Sequence, residues 1–432
     1  MKLLSALASL ALALPFAACA GPDYGRALPK GAPALIQLKA SEKRPDFSEG
    51  FQHRDALIAP LDRSIAWFDK PSTQELFPME GITHARARAS LVRFKELLLQ
   101  CETAGEFTRR VDTEFTVYKS AGWNGKGGGL LYTAYCTPIF EGSRTKTEKY
   151  RYPLYALPPD VVKAKGGEMV MQTVYDYEHS ESGEPVEELL PAKPGAILGR
   201  RTASGGIEPY PTRREIEASS LLEGKGLELV YLANPLDVFI AQVNGSTVIE
   251  TSSGEQLKFG YSGKNGRPYS SLGKELIRAK ELKAKDMSLS KIREWGRANP
   301  EKLREYMARN DSYVFFQPLD GNPSGSLGFE VEAERTLATD KALFPRGGVV
   351  FVDAPPSVKK WRWPWESKPK ANPPYHLFMF DQDTGGAIRT AGRADIYLGI
   401  GPDAEERAGR TMAEGQLYYL FLNDSEDARA LP

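Results

Sequence analysis

Histidine is scarce. Four residues, His53, His84, His179 and His376, are scattered over 432, and no HExxH or CxxC spacing occurs. Those are the spacings that present zinc ligands, so neither a metal centre nor any cofactor is expected. An excess of positive charge is also missing: 56 Lys and Arg stand against 56 Asp and Glu. Nothing therefore argues for a nucleic-acid partner. The apolar run from Leu3 to Phe16 is too short for a stable bilayer span. It follows one lysine and precedes small residues, so residues 1–20 read as a secretory signal. Two processing routes fit. Ala18-Cys19-Ala20 suits small-x-small cleavage, with maturation at Gly21. Phe16-Ala17-Ala18-Cys19 suits a loose lipobox, with Cys19 lipidated and anchoring the chain to a membrane.

Cysteine is limited to Cys19, Cys101 and Cys136. After export, Cys101 and Cys136 either pair in an oxidising compartment or remain as two buried thiols. They fall on different predicted elements, a helix and a strand, which leaves both outcomes open.

What is present suits a loop-rich β protein, with 10 % aromatics, 31 prolines and 40 glycines. The exported part, about 410 residues, is long for one core and suggests two domains. Residues 22–70 are rich in proline, alanine and charge, and read as a lead-in with little regular structure. Ala87, Leu91, Phe94 and Leu98 follow a 4-3-4 spacing that predicts a helix capped by Thr83. A glycine cluster, Gly122 to Gly129, precedes the strand LLYTAYCTPIF. Residues 159–206 are charged and weakly periodic, and read as an exposed insert.

From Leu227 onward LELVYL, DVFIAQV, STVIET and QLKFGYS read as strands divided by Asn-Pro, Asn-Gly and Ser-Gly turns, a meander or small barrel. Helices follow at Gly273–Leu282, after Ser288, and after Asn299-Pro300. The C-terminal block returns to strand in GVVFV, HLFMF, DIYLGI and LYYLFL. The proline-rich segment between the first two carries Trp361, Trp363 and Trp365. It reads as a hairpin tip whose indoles either cover its own edge or form a contact surface.

The chemistry concentrates between Asp383 and Gly409. Asp383 opens the turn Asp-Thr-Gly-Gly, where glycines take conformations closed to other residues. A lone Asp-Thr-Gly does not make an aspartic protease, which needs a pair of carboxylates. Asp395 begins the strand DIYLGI among apolar neighbours. Burial there raises a carboxyl pKa above its usual value of about 3.9, and a nearby like charge raises it further. That is what a general acid at neutral pH requires. Capping a turn is the competing role for both residues.

LATDKALFPRGG with FDQDTGGAIRTAGRADIYLGIGPDAEERAG resembles the three-aspartate domain of the membrane-bound lytic murein transglycosylase A family. YTAYCTPIFEGSR, YRYPLYALPPD, PTRREIEASSL, NPLDVFIAQVNGS, YSGKNGRPYSSLGKELI, MSLSKIREW and NDSYVFF match the rest of that family in order. The resemblance implies a mainly β fold. A double-psi β-barrel is built from residues 21–142 and 322–432. An inserted β-domain with a few helices, residues 143–321, forms the other wall of a glycan groove.

It also implies non-hydrolytic cleavage of the β-1,4 bond between N-acetylmuramic acid and N-acetylglucosamine, leaving a 1,6-anhydro end. A non-catalytic peptidoglycan-binding scaffold of the same fold is the alternative. Carried onto this sequence, Asp395 is acid and then base, Asp383 stabilises charge, and Asp340 orients the site. Thr133, Tyr135, Asn244, Gly245, Ser246, Asn265, Tyr269, Gly385 and Gly386 would meet the glycan. Read without the resemblance, Asn244, Ser246, Asn265 and Tyr269 serve equally well as structural turn residues. The chain departs from the family where Ala134-Tyr135-Cys136 replaces Gly-Tyr-Tyr and Asn244-Gly245-Ser246-Thr247 replaces Gln-Gly-Ser-Gly. Peptidoglycan strands are the expected partner, and the expected location is the periplasm, at the outer membrane.

Overall fold

The computed structural model describes residues 22–39, 41–163, 169–176, 184–191, 197–201, 207–284, 287–356 and 372–424. The signal, Cys19 and the three tryptophans of 361–365 lie outside the described residues. In chain order the strands are β1 Leu35–Gln37, β2 Phe115–Ser120, β3 Leu130–Thr137, β4 Ile139–Ser143, β5 Tyr152–Tyr155, β6 Val161–Lys163, β7 Met169–Asp176, β8 Glu184–Pro191, β9 Ile197–Arg201, β10 Ile207–Pro209, β11 Glu228–Leu232, β12 Ser246–Thr251, β13 Gln256–Lys264, β14 Val314–Leu319, β15 Thr336–Ala338, β16 Val349–Ala354, β17 Tyr375–Asp383, β18 Arg393–Ile400 and β19 Ala413–Leu422. The helices are α1 Ser48–Gln52, α2 Ile58–Phe68, α3 His84–Gln100, α4 Ala104–Glu114, α5 Arg213–Ala218, α6 Pro235–Asn244, α7 Leu272–Arg278, α8 Leu289–Ala298, α9 Pro300–Met307 and α10 Pro402–Ala408.

The protein is mainly β, as expected. One sheet runs β1-β2-β19-β16-β17-β15-β18-β3. Strand β3 pairs in parallel with β18 and antiparallel with β19, so the sheet closes into a barrel. Both faces of the barrel wall are packed: Phe378 meets Phe94 of α3 and Phe107 of α4 on one face, and Met379, the next residue along β17, is buried on the other. Strands from both ends of the chain build it. A second sheet runs β14-β13-β12-β4-β11-β5, and a bridge between Ala156 and Phe316 brings β5 back towards β14. Pro138 alone separates β3 from β4, so the chain steps from one sheet to the other within a residue.

The 4-3-4 spacing forms α3 as expected: Thr83 accepts from the Arg86 N–H, and Ala87, Leu91, Phe94 and Leu98 are buried. Three other segments differ from expectation. Residues 22–70 are not irregular: α2 buries Pro60, Leu61, Ser64, Trp67 and Phe68 on one face, with the proline tolerated in the first turn. DVFIAQV is helix, not strand. Asn234 accepts from the Leu236 N–H and Pro235 takes the first position of α6, the cap-then-proline signature. That helix buries Leu236, Val238, Phe239, Ile240, Ala241 and Gln242. An element enclosed on nearly all sides shows no amphipathic period to read. Residues 159–206 contain strands β6 to β9, with β7 and β8 paired antiparallel from Met169–Pro191 to Asp176–Glu184. Of the two outcomes open to Cys101 and Cys136, the structure shows two buried thiols. Cys101 ends α3 near Glu106 and Arg110, whereas Cys136 feels Glu405 and Asp395.

Candidate active site

Register brings the aspartates together. Ala338 on β15 lies opposite Asp383 on β17 and opposite Asp395 on β18. One strand therefore separates the two acidic residues, which share a row across the barrel wall. At ordinary strand spacing their Cα atoms stand about 10 Å apart. On its other side Asp395 lies opposite Thr133 of β3. Tyr135, two residues along β3, projects from the same face as Thr133. Asp340 follows Ala338 by two residues, just past the end of β15.

Asp395 is half-buried, and its Oδ1 has no hydrogen-bond partner among the described residues. Burial raises its pKa to about 7, opposed by a hydrogen bond with Thr133 and the Arg393 charge, and assisted by the charge of Asp383. Arg393 precedes Asp395 by two residues and so occupies the same face of β18. Its Nη2 donates to Thr133 Oγ1 at 3.1 Å.

Asp383 is fixed from three directions. The Tyr135 hydroxyl donates to Oδ2 at 2.5 Å. The backbone N–H groups of Ser326 and Thr384 each donate to Oδ1 at 2.8 Å. Burial still pushes its pKa up against these donors. A side chain at Gly325 would put a Cβ 2.9 Å from the Gln382 carbonyl oxygen and 3.3 Å from Asp383 Cγ. Only glycine lets that return segment come so close.

Asp340 is buried and faces backbone. Its Oδ1 accepts from the Ala342 N–H and its Oδ2 from the Thr390 N–H, both at 3.0 Å. Thr390 has φ 76°, a conformation costly for a β-branched residue, so Asp340 holds the 384–390 loop in a strained shape. The loop carries Gly385 and Gly386. A Cβ on Gly386 would lie 3.2 Å from the Tyr269 Cβ, so this glycine permits close approach to the segment that follows β13.

The other expected contacts divide. Asn244 ends α6, with its Nδ2 donating to the Ile240 carbonyl at 2.9 Å, and Gly245 caps the helix with φ 74°. Ser246 is buried, and its Oγ lies 2.8 Å from Thr137 Oγ1, which also lies 3.0 Å from the Tyr397 hydroxyl. This node joins the two sheets. Asn265 does not reach the groove surface. It is fully buried, with Nδ2 bonded to the Pro211 and Asp311 carbonyls and Oδ1 accepting from the Tyr313 N–H. Tyr269 is half-buried and near enough to feel the Asp395 charge.

Several residues at the site escaped the sequence reading. Ser326 comes from a segment with no distinctive pattern. Arg393 was accessible, since alternation along DIYLGI extends back to it. Lys341 and Asp381 form a buried ion pair beneath Thr339, also bonded by Tyr419. Adjacency to Asp340 gave no hint of it.

Residues 131–317 match the MltA specific insert domain, and residues 335–421 match the 3D domain. Membrane-bound lytic murein transglycosylase A of Escherichia coli K12 is 30 % identical over 297 residues, 68 % of this chain and 66 % of that protein. The chain thus aligns with just under two thirds of that relative's length. The Vibrio cholerae protein of the same name is 29 % identical over 307 residues, 70 % of this chain and 68 % of that one. The crystal structure of membrane-bound lytic murein transglycosylase from Agrobacterium tumefaciens superposes with a TM-score of 0.65 at 24 % identity, covering 90 % of this chain and 98 % of that one. That of E. coli MltA with bound chitohexaose gives 0.60 at 23 % identity, covering 94 % and 98 %; at these identities the shared property is the fold. With the two matched domains falling on the second sheet and on the strands that carry Asp340, Asp383 and Asp395, the chain belongs to the membrane-bound lytic murein transglycosylase A family.

Proposed function

We propose that this protein is a peptidoglycan lytic transglycosylase with Asp395 as its single acid and base. The observation that carries the reading is the row in which Asp383 and Asp395 both lie opposite Ala338, where burial raises the Asp395 pKa to about 7. A carboxyl poised there is protonated often enough to give a proton and ionised often enough to take one back. The protonated carboxyl delivers its proton to the glycosidic oxygen, and the bond from that oxygen to muramyl C1 breaks. The muramyl 6-hydroxyl then attacks C1, and its proton passes to the Asp395 carboxylate. The product is a 1,6-anhydro end, and the enzyme returns to its starting protonation state. Hydrolases assign these tasks to two carboxyls. Acid–base help of this kind is worth roughly 10²–10⁴-fold, about 3–5 kcal/mol of barrier.

Asp383, immobilised by Tyr135, Ser326 and Thr384, stabilises positive charge at C1. Asp340 positions the 384–390 loop. Residues 21–142 with 322–432 form the catalytic unit, and 143–321 form the opposing wall. Glycan lies between Tyr269 and the aspartate row. The E. coli relative bound to chitohexaose supports a β-1,4-linked N-acetylated sugar chain as ligand. Among the described residues no helix is long and apolar enough to cross a membrane. Membrane attachment in this reading comes from lipid on Cys19, after export to the periplasm.

Digestion of purified sacculi tests the function. Mass spectrometry should find anhydro-muropeptides with wild type and none with Asp395→Asn. Reducing ends in their place would make the protein a hydrolase and overturn the reading.

A further inference from the structure

Lys264 closes β13, opposite Val314 of β14. It is half-buried, and among the described residues its ammonium has neither a hydrogen bond nor an acidic partner. The 384–390 loop comes close to the segment that follows β13, since a Cβ on Gly386 would lie 3.2 Å from the Tyr269 Cβ. Arg389, on that loop, is 56 % exposed, and the acid it reaches, Asp340, is 3.6 Å away. More than half of the Arg389 side chain is therefore open to a ligand. Burial and the charge of Arg389 both hold the Lys264 pKa below its usual value.

Two cations on facing walls, one without a counter-ion, oppose each other and oppose burial. An anion between them relieves both costs, through charge-assisted hydrogen bonds. We propose that Lys264 and Arg389 form a carboxylate-binding site that recognises the muramyl unit of the glycan. This rests on the transglycosylase reading for the identity of the substrate. N-acetylglucosamine units are neutral, so the carboxylates of a peptidoglycan strand belong to the muramyl units. The lactyl group supplies one where the stem peptide has been removed, and the stem supplies them where it remains. The site distinguishes muramyl glycan from a neutral chain of the same linkage, a distinction that the aspartate row, being acidic, cannot make by attraction.

The test is calorimetric titration of the full-length protein carrying Asp395→Asn, so that nothing is cleaved. The titrants are chitohexaose, denuded glycan and stem-bearing glycan. Adding Lys264→Met or Arg389→Gln should weaken binding of a carboxylate-bearing glycan about tenfold while leaving chitohexaose unchanged. Lys264→Arg should restore most of it. A loss on denuded glycan assigns the lactyl carboxylate, and a loss confined to stem-bearing glycan assigns the stem. Equal losses on chitohexaose, or no loss on either charged glycan, would overturn the site. The sacculus digestion is independent of this result: absence of anhydro ends with wild type would remove the enzymatic reading, while the charged-versus-neutral comparison would still report on the cations.

Discussion

The Tyr135 hydroxyl donates to Asp383 Oδ2 at 2.5 Å and so links β3 to the last residue of β17 across the barrel mouth. Tyr135 was expected to touch glycan. Its hydroxyl instead holds a carboxylate, and that bond opposes the upward shift that burial imposes on Asp383. Tyr135→Phe removes the donor and leaves Asp383 more readily protonated and less well fixed. The expected result is a fall in kcat of about ten- to a hundredfold with KM nearly unchanged. Steady-state kinetics on soluble glycan fragments separates the two. A rise in KM alone would mean that the ring acts as a sugar contact.

Asp395 must be protonated when the leaving oxygen departs. With its pKa near 7, kcat/KM should fall as pH rises through about 7. The Arg393 charge lowers this pKa, so Arg393→Gln should move that limb to higher pH. Stability follows the same shift with a definite sign. The folded pKa lies above the ordinary 3.8, so Asp395 ionises in the unfolded chain first. Its contribution is fully present below pH 3.8 and is lost as pH rises through 7. Asp395→Asn should therefore melt above wild type at pH 8 and lose that advantage near pH 4, as scanning calorimetry would show.

Much of this was legible because it is local. The 4-3-4 spacing marked α3, the turn glycines marked the loop after Asp383, and the apolar setting of DIYLGI implied an elevated pKa at Asp395. What the residues alone could not give was register. That Asp383 and Asp395 both face Ala338 depends on which strands pair, and β17 and β18 are not neighbours but flank β15. Asn265 was placed at the groove by the resemblance alone; read from the residues it served equally well as a structural turn residue, and its bonds are of that kind. Its burial comes from Pro211, Asp311 and Tyr313, which are distant in sequence. The helix α6 was misread for the opposite reason: its cap signal was present, but enclosure erased the period that normally confirms one.

Asp340 offers a sharper distinction between holding and reacting. Its oxygens each accept one backbone N–H, from Ala342 and Thr390. Asp340→Asn keeps one acceptor and turns a donor towards the other N–H, an expected cost of about 1–3 kcal/mol. The 384–390 loop, no longer clamped at Thr390, should open. Trypsin should then cut after Arg389 faster than in wild type, and KM should rise more than kcat falls. Unchanged cleavage at Arg389 with kcat abolished would give Asp340 a direct chemical role.

The Lys341–Asp381 pair predicts the largest loss of stability. Asp381 is fully buried and also accepts from the hydroxyls of Thr339 and Tyr419. Lys341→Met leaves that carboxylate without its cation in a region that water does not reach, which costs about 3–5 kcal/mol. The exposed pair Arg144–Glu255, at 2.7 Å, is the control, because solvent screens it; Arg144→Ala should leave the unfolding midpoint close to that of wild type. Urea unfolding of the two variants side by side gives the comparison. Because the Thr339 carbonyl accepts from the Thr384 hydroxyl and the Thr339 N–H donates to the Asp383 carbonyl, the Lys341 variant should lose activity under mild urea before it unfolds. Equal midpoints for the two variants would show that the buried pair contributes no more than a surface one.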